Sequence, residues 1–337
     1  MKKSTPIVLI RTDGSAKIGM GHIFRSIALA KELKKNGCKI HFLTSKNFKN
    51  FFRKIGICHI TNEIEGDEIL LIKKINPDIF ILDILEKFLH FPKTYFIEIQ
   101  KISKLLIAID YSSKNLKFFD QSFHSLFGPK QHKAKKTYYD LKYCIVDPKF
   151  QKQSNNYTVQ KSISKILLLR GGSDSRCIGP KIINILQKIN ENFSISIVLG
   201  PKFECWKELK QEKSKSLKNL KIYRDVKNMS SLMKNYQLVI SAAGVTSTEL
   251  LTIGIPTIIV YGDPHEKEAA NILQQKNTVI NLGYGKNISK NILTKTIQTV
   301  LHDYNARRIL HKNSKKLFDG KGTTRIVQKI MSEYCTK

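Results

Sequence analysis

The chain has no long apolar run. Its longest uninterrupted stretch, Leu105 to Ile109, is five residues, against the roughly 20 that a helix needs to cross a bilayer. No transmembrane segment is therefore expected. A signal-peptide core is missing too: after Met1 to Pro6 the apolar piece Ile7 to Ile10 runs straight into Arg11 and Asp13, which points to a cytoplasmic protein. Cysteine is sparse. Cys38, Cys58, Cys144, Cys177, Cys205 and Cys335 include no pair two to four residues apart, so zinc-knuckle spacing is absent and reduced, buried thiols are expected. Acidic residues are few, 27 against 58 basic, giving a net charge of +31. Arginine is scarce within that excess, nine residues of the 58, and no contiguous basic run exceeds two. The arginine fork that suits guanine edges and phosphates is thus rare. A generally basic surface meeting an anionic small substrate is expected, with no dedicated nucleic-acid partner.

What is present is a globular composition, 41% hydrophobic and 25% charged over 337 residues, and a length that suits two domains of about 150 residues each. Ile7 to Arg11 reads as a strand and Gly14 to Gly21 as a turn. Ile23, Ile27, Ala30 and Leu33 then recur at helical spacing until Asn36-Gly37. Lys39 to Leu43, Ile79 to Leu82 and Leu105 to Ile109 are further strands. Gln151 to Gln160, with Ser154-Asn155-Asn156, reads as a linker. The same grammar then restarts with strands at Ile166 to Leu169, Ile195 to Leu199, Lys221 to Tyr223, Leu238 to Ile240 and Thr257 to Val260. Three helices follow, over Lys290 to Val300, Ala306 to Leu317 and Thr324 to Tyr334. Apolar strands alternating with helices imply parallel sheets covered on both faces. The fold class expected is α/β, two Rossmann-like doubly wound domains facing a cleft. The domains are placed at 1–150 and 151–337, with the last helices returning to the first, and ligands beyond the carboxyl ends of the strands.

Three constellations carry chemistry. The first is Arg11-Thr12-Asp13-Gly14 followed by Gly19-Met20-Gly21-His22-Ile23-Phe24-Arg25. Glycines let backbone approach a ligand. The positive end of the helix dipole favours an unprotonated ring at His22, suited to accept a proton. Arg25, one turn on, can meet an anion or orient a carboxylate, and Asp13 can hold the His22 ring; the plainer alternative is a helix cap with a solvent histidine. The second is Arg170-Gly171-Gly172-Ser173-Asp174, where a strand ends before a helix. It reads either as a phosphate-binding helix start or as a helix capped by Ser173 or Asp174. The third is Ser241-Ala242-Ala243-Gly244-Val245-Thr246-Ser247-Thr248-Glu249. It reads either as a helix start that takes a diphosphate while Glu249 accepts both hydroxyls of a ribose, or as a helix whose Glu249 is a carboxylate stabilised by the dipole. No Walker loop and no dinucleotide fingerprint occurs. Asp263, His265, Glu266 and Glu268 read as a solvated helix start rather than a metal site, so neither metal nor cofactor is expected.

Taken together these blocks resemble the PseG/SpsG family of nucleotide-sugar hydrolases over nearly the whole chain. The resemblance rests on Arg11-Thr12-Asp13, Gly19 to Arg25, Asp83, Asp110, Gly128-Pro129, Pro148-Lys149-Phe150, Gly171 to Asp174, Leu199-Gly200, Ser241 to Glu249, Gly254-Ile255-Pro256 and Asp319-Gly320-Lys321-Gly322 with Arg325. It implies a GT-B fold, no metal, and cleavage of a UDP-linked 2,4-diacetamido-trideoxy sugar in pseudaminic-type nonulosonic acid biosynthesis. It makes His22 the base and Gly172, Ser173, Gly244 and Glu249 contacts to UDP. Asp13, Arg25 and Asp83 become sugar or supporting contacts, with Gly19, Gly21, Gly200 and Thr248 as further substrate-binding positions. Departures stand at Tyr111 after Asp110, at Asp147 before Pro148, and in the loop Asp263-Pro264-His265-Glu266; they bear on which sugar is bound.

The reaction so implied is attack of water on the anomeric carbon with UDP leaving. Inverting sugar hydrolases use a base for water and an acid for the leaving oxygen. A nucleoside diphosphate is already a stable anion, so one base suffices if the diphosphate charge is stabilised. Two other readings are open. One is sugar transfer on the same scaffold, with Phe48, Phe51 and Phe52 among Lys49, Arg53 and Lys54 as a basic-aromatic membrane-facing patch or, more blandly, as a helix packing its Phe face. The other is a polyanion-binding protein drawing on the +31 charge.

Overall fold

The computed structural model describes residues 5–14, 20–45, 52, 60–63, 67–86, 89–126, 128, 131–174, 176–214 and 219–337. Internal contacts divide the chain into two units. One comprises Met1–Gly14, His22–Asp147 and Lys321–Lys337; the other comprises Ser15–Gly21 and Pro148–Gly320.

In the first unit the order is β1 (Ile7–Thr12), α1 (Gly21–Lys35), β2 (Lys39–Thr44), β3 (Ile60–Glu63), α2 (Glu68–Ile75), β4 (Ile79–Asp83), α3 (Lys93–Ile102), β5 (Leu105–Ile109), β6 (Gln121–His124) and β7 (Lys136–Tyr139). The described strands form one sheet in the order β3-β2-β1-β4-β5-β6-β7, parallel throughout. Strands buried on both faces must be apolar along their whole length, and Val8-Leu9-Ile10, Ile79 to Leu82 and Leu105 to Ile109 are buried accordingly. One face packs Leu9, Phe80 and Leu106 against Tyr95, Phe96 and Ile99 of α3. Helix α1 buries Ile23, Ile27, Ala30 and Leu33. It stops at Gly37, whose φ of 84° lets the Cys38 N–H reach the Leu33 carbonyl at 3.2 Å, the left-handed exit that glycine adopts without a side-chain clash.

The second unit runs α4 (Pro148–Ser154), β8 (Lys165–Leu169), α5 (Ile178–Gln187), β9 (Ser194–Val198), α6 (Trp206–Ser214), β10 (Leu220–Tyr223), α7 (Met229–Met233), β11 (Leu238–Ser241), α8 (Val245–Ile253), β12 (Thr257–Tyr261), α9 (Lys267–Gln275), β13 (Ile280–Tyr284), α10 (Lys290–His302) and α11 (Tyr304–Leu317). A further helix, α12 (Gly322–Thr336), belongs to the first unit. The sheet order is β10-β9-β8-β11-β12-β13, again parallel. Its isoleucine-rich core joins Ile166, Leu168, Ile195 and Ile197 to α5 and α10. In both sheets the strand order reverses beside the first strand of the unit, between β1 and β4 and between β8 and β11. Ligands of open α/β sheets bind at the carboxyl ends there. Thr12 and Asp83 are register partners at the first such point, Leu169 and Ser241 at the second.

Two expectations are corrected. Gln151 to Gln160 is not a linker: Pro148–Ser154 is helical, and Phe150, Ser154 and Tyr157 are buried. Nor are all the cysteines reduced. Cys177 and Cys205, 28 positions apart, are joined as a disulfide, a pairing the spacing count missed because it compared near neighbours. Cys38 and Cys144 are buried free thiols and Cys335 an exposed one; Cys58 lies outside the described residues. Burial pushes the Cys144 thiol up to about 12 and Cys38 up to about 11. Within the basic-aromatic stretch, Phe52 is buried and stacks on Phe42, ring centroids 4.9 Å apart, as the bland packing reading has it. Phe48, Lys49, Phe51, Arg53 and Lys54 lie outside the described residues. Among the described residues no helix is long and apolar enough to cross a membrane.

Candidate functional site

Side chains of α1 gather on one buried carboxylate at the carboxyl end of β4, and Asp110 at the end of β5 joins them through Arg25. Asp83, the last residue of β4, is fully buried and gathers three side chains from one face of α1. His22 Nδ1 lies 2.7 Å from Asp83 Oδ1, Ser26 Oγ donates to Oδ2 at 2.7 Å, and Arg25 Nε donates to Oδ2 at 3.0 Å. Positions three and four apart share a helix face, which is why 22, 25 and 26 can all reach it. Arg25 Nη2 also donates to Asp83 Oδ1, and Nη1 donates to Asp110 just past β5. Asp110 sits in the left-handed region at φ 47° and its Oδ1 accepts the Ser125 N–H at 2.9 Å.

Burial alone would raise the Asp83 carboxyl. The Arg25 guanidinium and His22 outweigh it and hold the group well below the usual carboxylate range. Burial likewise disfavours charge on Arg25, but Asp83 and Asp110 more than offset it and raise its affinity for the proton. His22 Nδ1 also stands 3.0 Å from Arg25 Nη2; the tautomer that satisfies the ionised carboxylate puts the hydrogen on Nδ1 and leaves the lone pair on Nε2. The ring is not sealed in: its side chain keeps 10% of its surface accessible.

Asp13 does not hold His22. It accepts from Arg11 Nη1 at 2.7 Å and from the Ser45 N–H and hydroxyl at 2.8 and 2.6 Å. Arg11 in turn donates to Glu68 at 2.8 Å. Asp13 therefore belongs to a buried bracing pair at the ends of β1 and β2. Gly21 opens α1, and Gly19 lies outside the described residues. Tyr111 is a core side chain against Phe96 and Phe119. Asp147 pairs with Lys31 at 2.9 Å.

In the second unit the two helix starts differ. The turn at Gly171-Gly172-Ser173 does not lead straight into a helix; α5 begins only at Ile178. Its first amides are already taken, because the Asp174 carboxylate accepts the Gly179 N–H at 2.7 Å and the Ile178 N–H at 3.2 Å. The N-cap position itself is Cys177, which makes no side-chain cap bond; Asp174, three residues earlier, closes the helix start with its carboxylate. The turn is also fastened to the loop after β9: Lys202 N–H donates to the Gly172 carbonyl at 2.9 Å. Gly200 packs so closely on it that a Cβ would stand 2.4 Å from the carbonyl oxygens of Gly171 and Gly172. That contact by itself requires glycine at 200.

The start of α8 is different. Gly244 precedes it with no side-chain cap, so the amides that open the helix are not closed off by a capping side chain. Ser247 and Thr248 return their hydroxyls to the helix's own carbonyls, Ser247 to Gly244 at 2.6 Å and Thr248 to Val245 at 2.7 Å. Thr248 is buried and turned inward. Glu249 stands one turn further, half-buried. Ser241, at the end of β11, keeps a buried hydroxyl without a hydrogen-bond partner. Glu266 reaches back to accept the Gly262 and Asp263 N–H groups at 2.9 and 3.3 Å in a capping box, so the Asp263–Glu266 loop is a helix start.

Sequence reading overlooked Ser26 and Asp110 as members of the His22 cluster. A signal existed: in the strand order 3-2-1-4-5 the ends of β4 and β5 fall beside β1, which brings Asp83 and Asp110 to the helix that follows β1.

A model of the glycosyltransferase family 28 C-terminal domain matches residues 166–330. The chain is 30% identical to the uncharacterized protein MJ1062 of Methanocaldococcus jannaschii, across 98% of this chain and 67% of that protein. It is 24% identical to the spore coat polysaccharide biosynthesis protein SpsG of Bacillus subtilis, across 96% of this chain and 98% of SpsG. Among solved structures it is similar to MurG of Acinetobacter baumannii, with a TM-score of 0.69 at 13% identity, covering 97% of this chain and all of that one. The fold class is GT-B.

Proposed function

The chain belongs to one family with the MJ1062 protein and carries a glycosyltransferase family 28 C-terminal domain; from that premise we propose that it is a hydrolase of a UDP-linked 2,4-diacetamido-trideoxy sugar. The observation that carries the reading is the pairing of His22 with a carboxylate held ionised by Arg25. Asp83 fixes the ring and its tautomer and stabilises the positive charge the ring acquires. Water attacks the anomeric carbon as His22 Nε2 takes its proton. The carbon–oxygen bond to the diphosphate breaks, and UDP leaves as an anion without an acid to protonate it. The uncapped start of α8 receives the diphosphate through its amides and dipole, and Glu249 accepts the ribose hydroxyls. Gly172 and Ser173 border the nucleotide through their backbone.

A second reading, sugar transfer to an acceptor hydroxyl, is favoured by the domain match over 166–330. One experiment separates the two. The protein is incubated with the UDP-linked sugar, without acceptor or added metal, in ¹⁸O-water, and free UDP and sugar are followed. Steady release of UDP with the label in the sugar supports hydrolysis. Label in UDP overturns attack at carbon, and no release until an acceptor is supplied overturns hydrolysis in favour of transfer.

A further inference from the structure

We propose that Cys177, Cys205 and Glu208 form a thiol–disulfide-gated site for a thiophilic divalent cation such as Zn²⁺. This rests on residues outside the hydrolase reading and stands or falls independently of it.

Cys177 closes the turn that follows Asp174, and Cys205 immediately precedes α6. Their Cα atoms are 5.4 Å apart. Glu208 lies one turn into α6, so Cys205-x-x-Glu208 has the two-residue gap of a zinc knuckle with a carboxylate in place of the second thiol. One donor atom from each of the three residues falls within 4.8 Å of the others. A tetrahedral zinc with Zn–S about 2.3 Å and Zn–O about 2.0–2.2 Å needs donors roughly 3.3–3.8 Å apart. Side-chain rotation closes the difference once the sulfur–sulfur bond is gone. The Asp174 carbonyl oxygen, 3.1 Å from Cys205 Sγ, offers a fourth donor. Cys205 stands at the start of α6, where a thiolate is favoured. Glu208 is exposed, which gives the cation an entry path.

The chemistry balances. A dithiol passes two electrons and two protons to the disulfide, leaving two protein thiols and its own disulfide. The cation then displaces both thiol protons and takes the two thiolates and the Glu208 carboxylate. Disulfide and cation serve the same mechanical end: each ties the Gly171–Asp174 turn to the segment 200–205, which the backbone bonds already zip together. In a reducing compartment the cation replaces the covalent tie.

The test uses the full chain, reduced with a phosphine that is then removed, and titrated with Co²⁺ as the probe. Thiolate-to-cobalt charge transfer in the near ultraviolet is read, with Zn²⁺ as competitor. The expected result is one equivalent of Co²⁺ bound with a thiolate band that Zn²⁺ abolishes, and no such band before reduction. Cys205→Ser is expected to remove the band. Glu208→Gln, on an exposed helix face and checked by circular dichroism, is expected to weaken binding at least the tenfold that loss of even an outer-shell partner costs. Absence of the band in the reduced chain overturns the proposal. So does a band that persists in Cys205→Ser, which would place the metal on other thiols, or unchanged affinity in Glu208→Gln.

Discussion

Two buried aspartates, each beside an arginine near the end of a parallel strand, respond to burial in opposite ways. Asp83 in the first unit is held well below the usual carboxylate range, while Asp174 in the second is pushed above it. For both, burial is the largest influence and favours the neutral acid. Asp83 overcomes it because Arg25 embraces both its oxygens and His22 and Ser26 donate as well. Asp174 has Arg170 only at 3.5 Å, since that guanidinium also donates to the Val260 carbonyl, and two backbone amides complete its shell. The same fold thus makes a charged hub that polarises a histidine at one switch point. At the other it makes a capping group that closes a helix start.

The largest break in this comparison is expected from Asp83→Asn. Removing one member of a buried ion pair costs about 3–5 kcal/mol, and Arg25 retains Asp110, so urea unfolding should show a loss of about 3 kcal/mol, the low end of that range. UDP release should fall as His22 loses its orienting partner. Next comes Glu249→Ala. A hydrogen bond to a charged group contributes about 1.5–3 kcal/mol, so UDP affinity by calorimetry should fall roughly 10- to 100-fold; unchanged affinity removes the ribose role. The smallest effect is expected from Asp174→Asn, which keeps one acceptor oxygen where Asp174 uses both for the Ile178 and Gly179 amides; stability should fall by about 0.5–1.5 kcal/mol, the net contribution of one hydrogen bond.

The pH dependence sharpens the contrast. The usual aspartate value is about 3.9. Asp83 sits below it when folded, so its contribution is fully present above the usual value and is lost as pH falls through the folded one. Asp174 sits above it, so its contribution is fully present below the usual value and is lost as pH rises through the raised one. Wild type minus Asp174→Asn, measured by urea unfolding at stepped pH, should show stability slipping on the neutral side of the usual value. Wild type minus Asp83→Asn should show it slipping on the acid side. Matching slopes would contradict the assignment.

The parallel strands were legible in the sequence because both faces are covered, so runs such as Leu105 to Ile109 and Ile166 to Leu169 are apolar throughout. The polar strands Gln121–His124 and Lys136–Tyr139 were not, since they carry no such run. His22 and Arg25 were legible from local spacing. Their shared partner was not: Asp13 is near in sequence, but Asp83, 61 positions from His22, is near in space through the β1–β4 register. At the second unit the glycines advertised a phosphate loop. Asp174, folding back in the left-handed region at φ 47°, closes that helix start, and no pattern of residue types distinguishes this from an open one. The disulfide is hidden for the same reason of distance.

His22, oriented by Asp83, is proposed to take the proton of attacking water while the nucleotide is held elsewhere. Turnover and UDP affinity of His22→Ala test it together. UDP release from the acceptor-free sugar nucleotide is expected to fall by roughly 10²–10⁴, the contribution of a positioned base, with UDP affinity unchanged by calorimetry. Full turnover in that variant, or a loss that tracks weakened UDP binding, would contradict it.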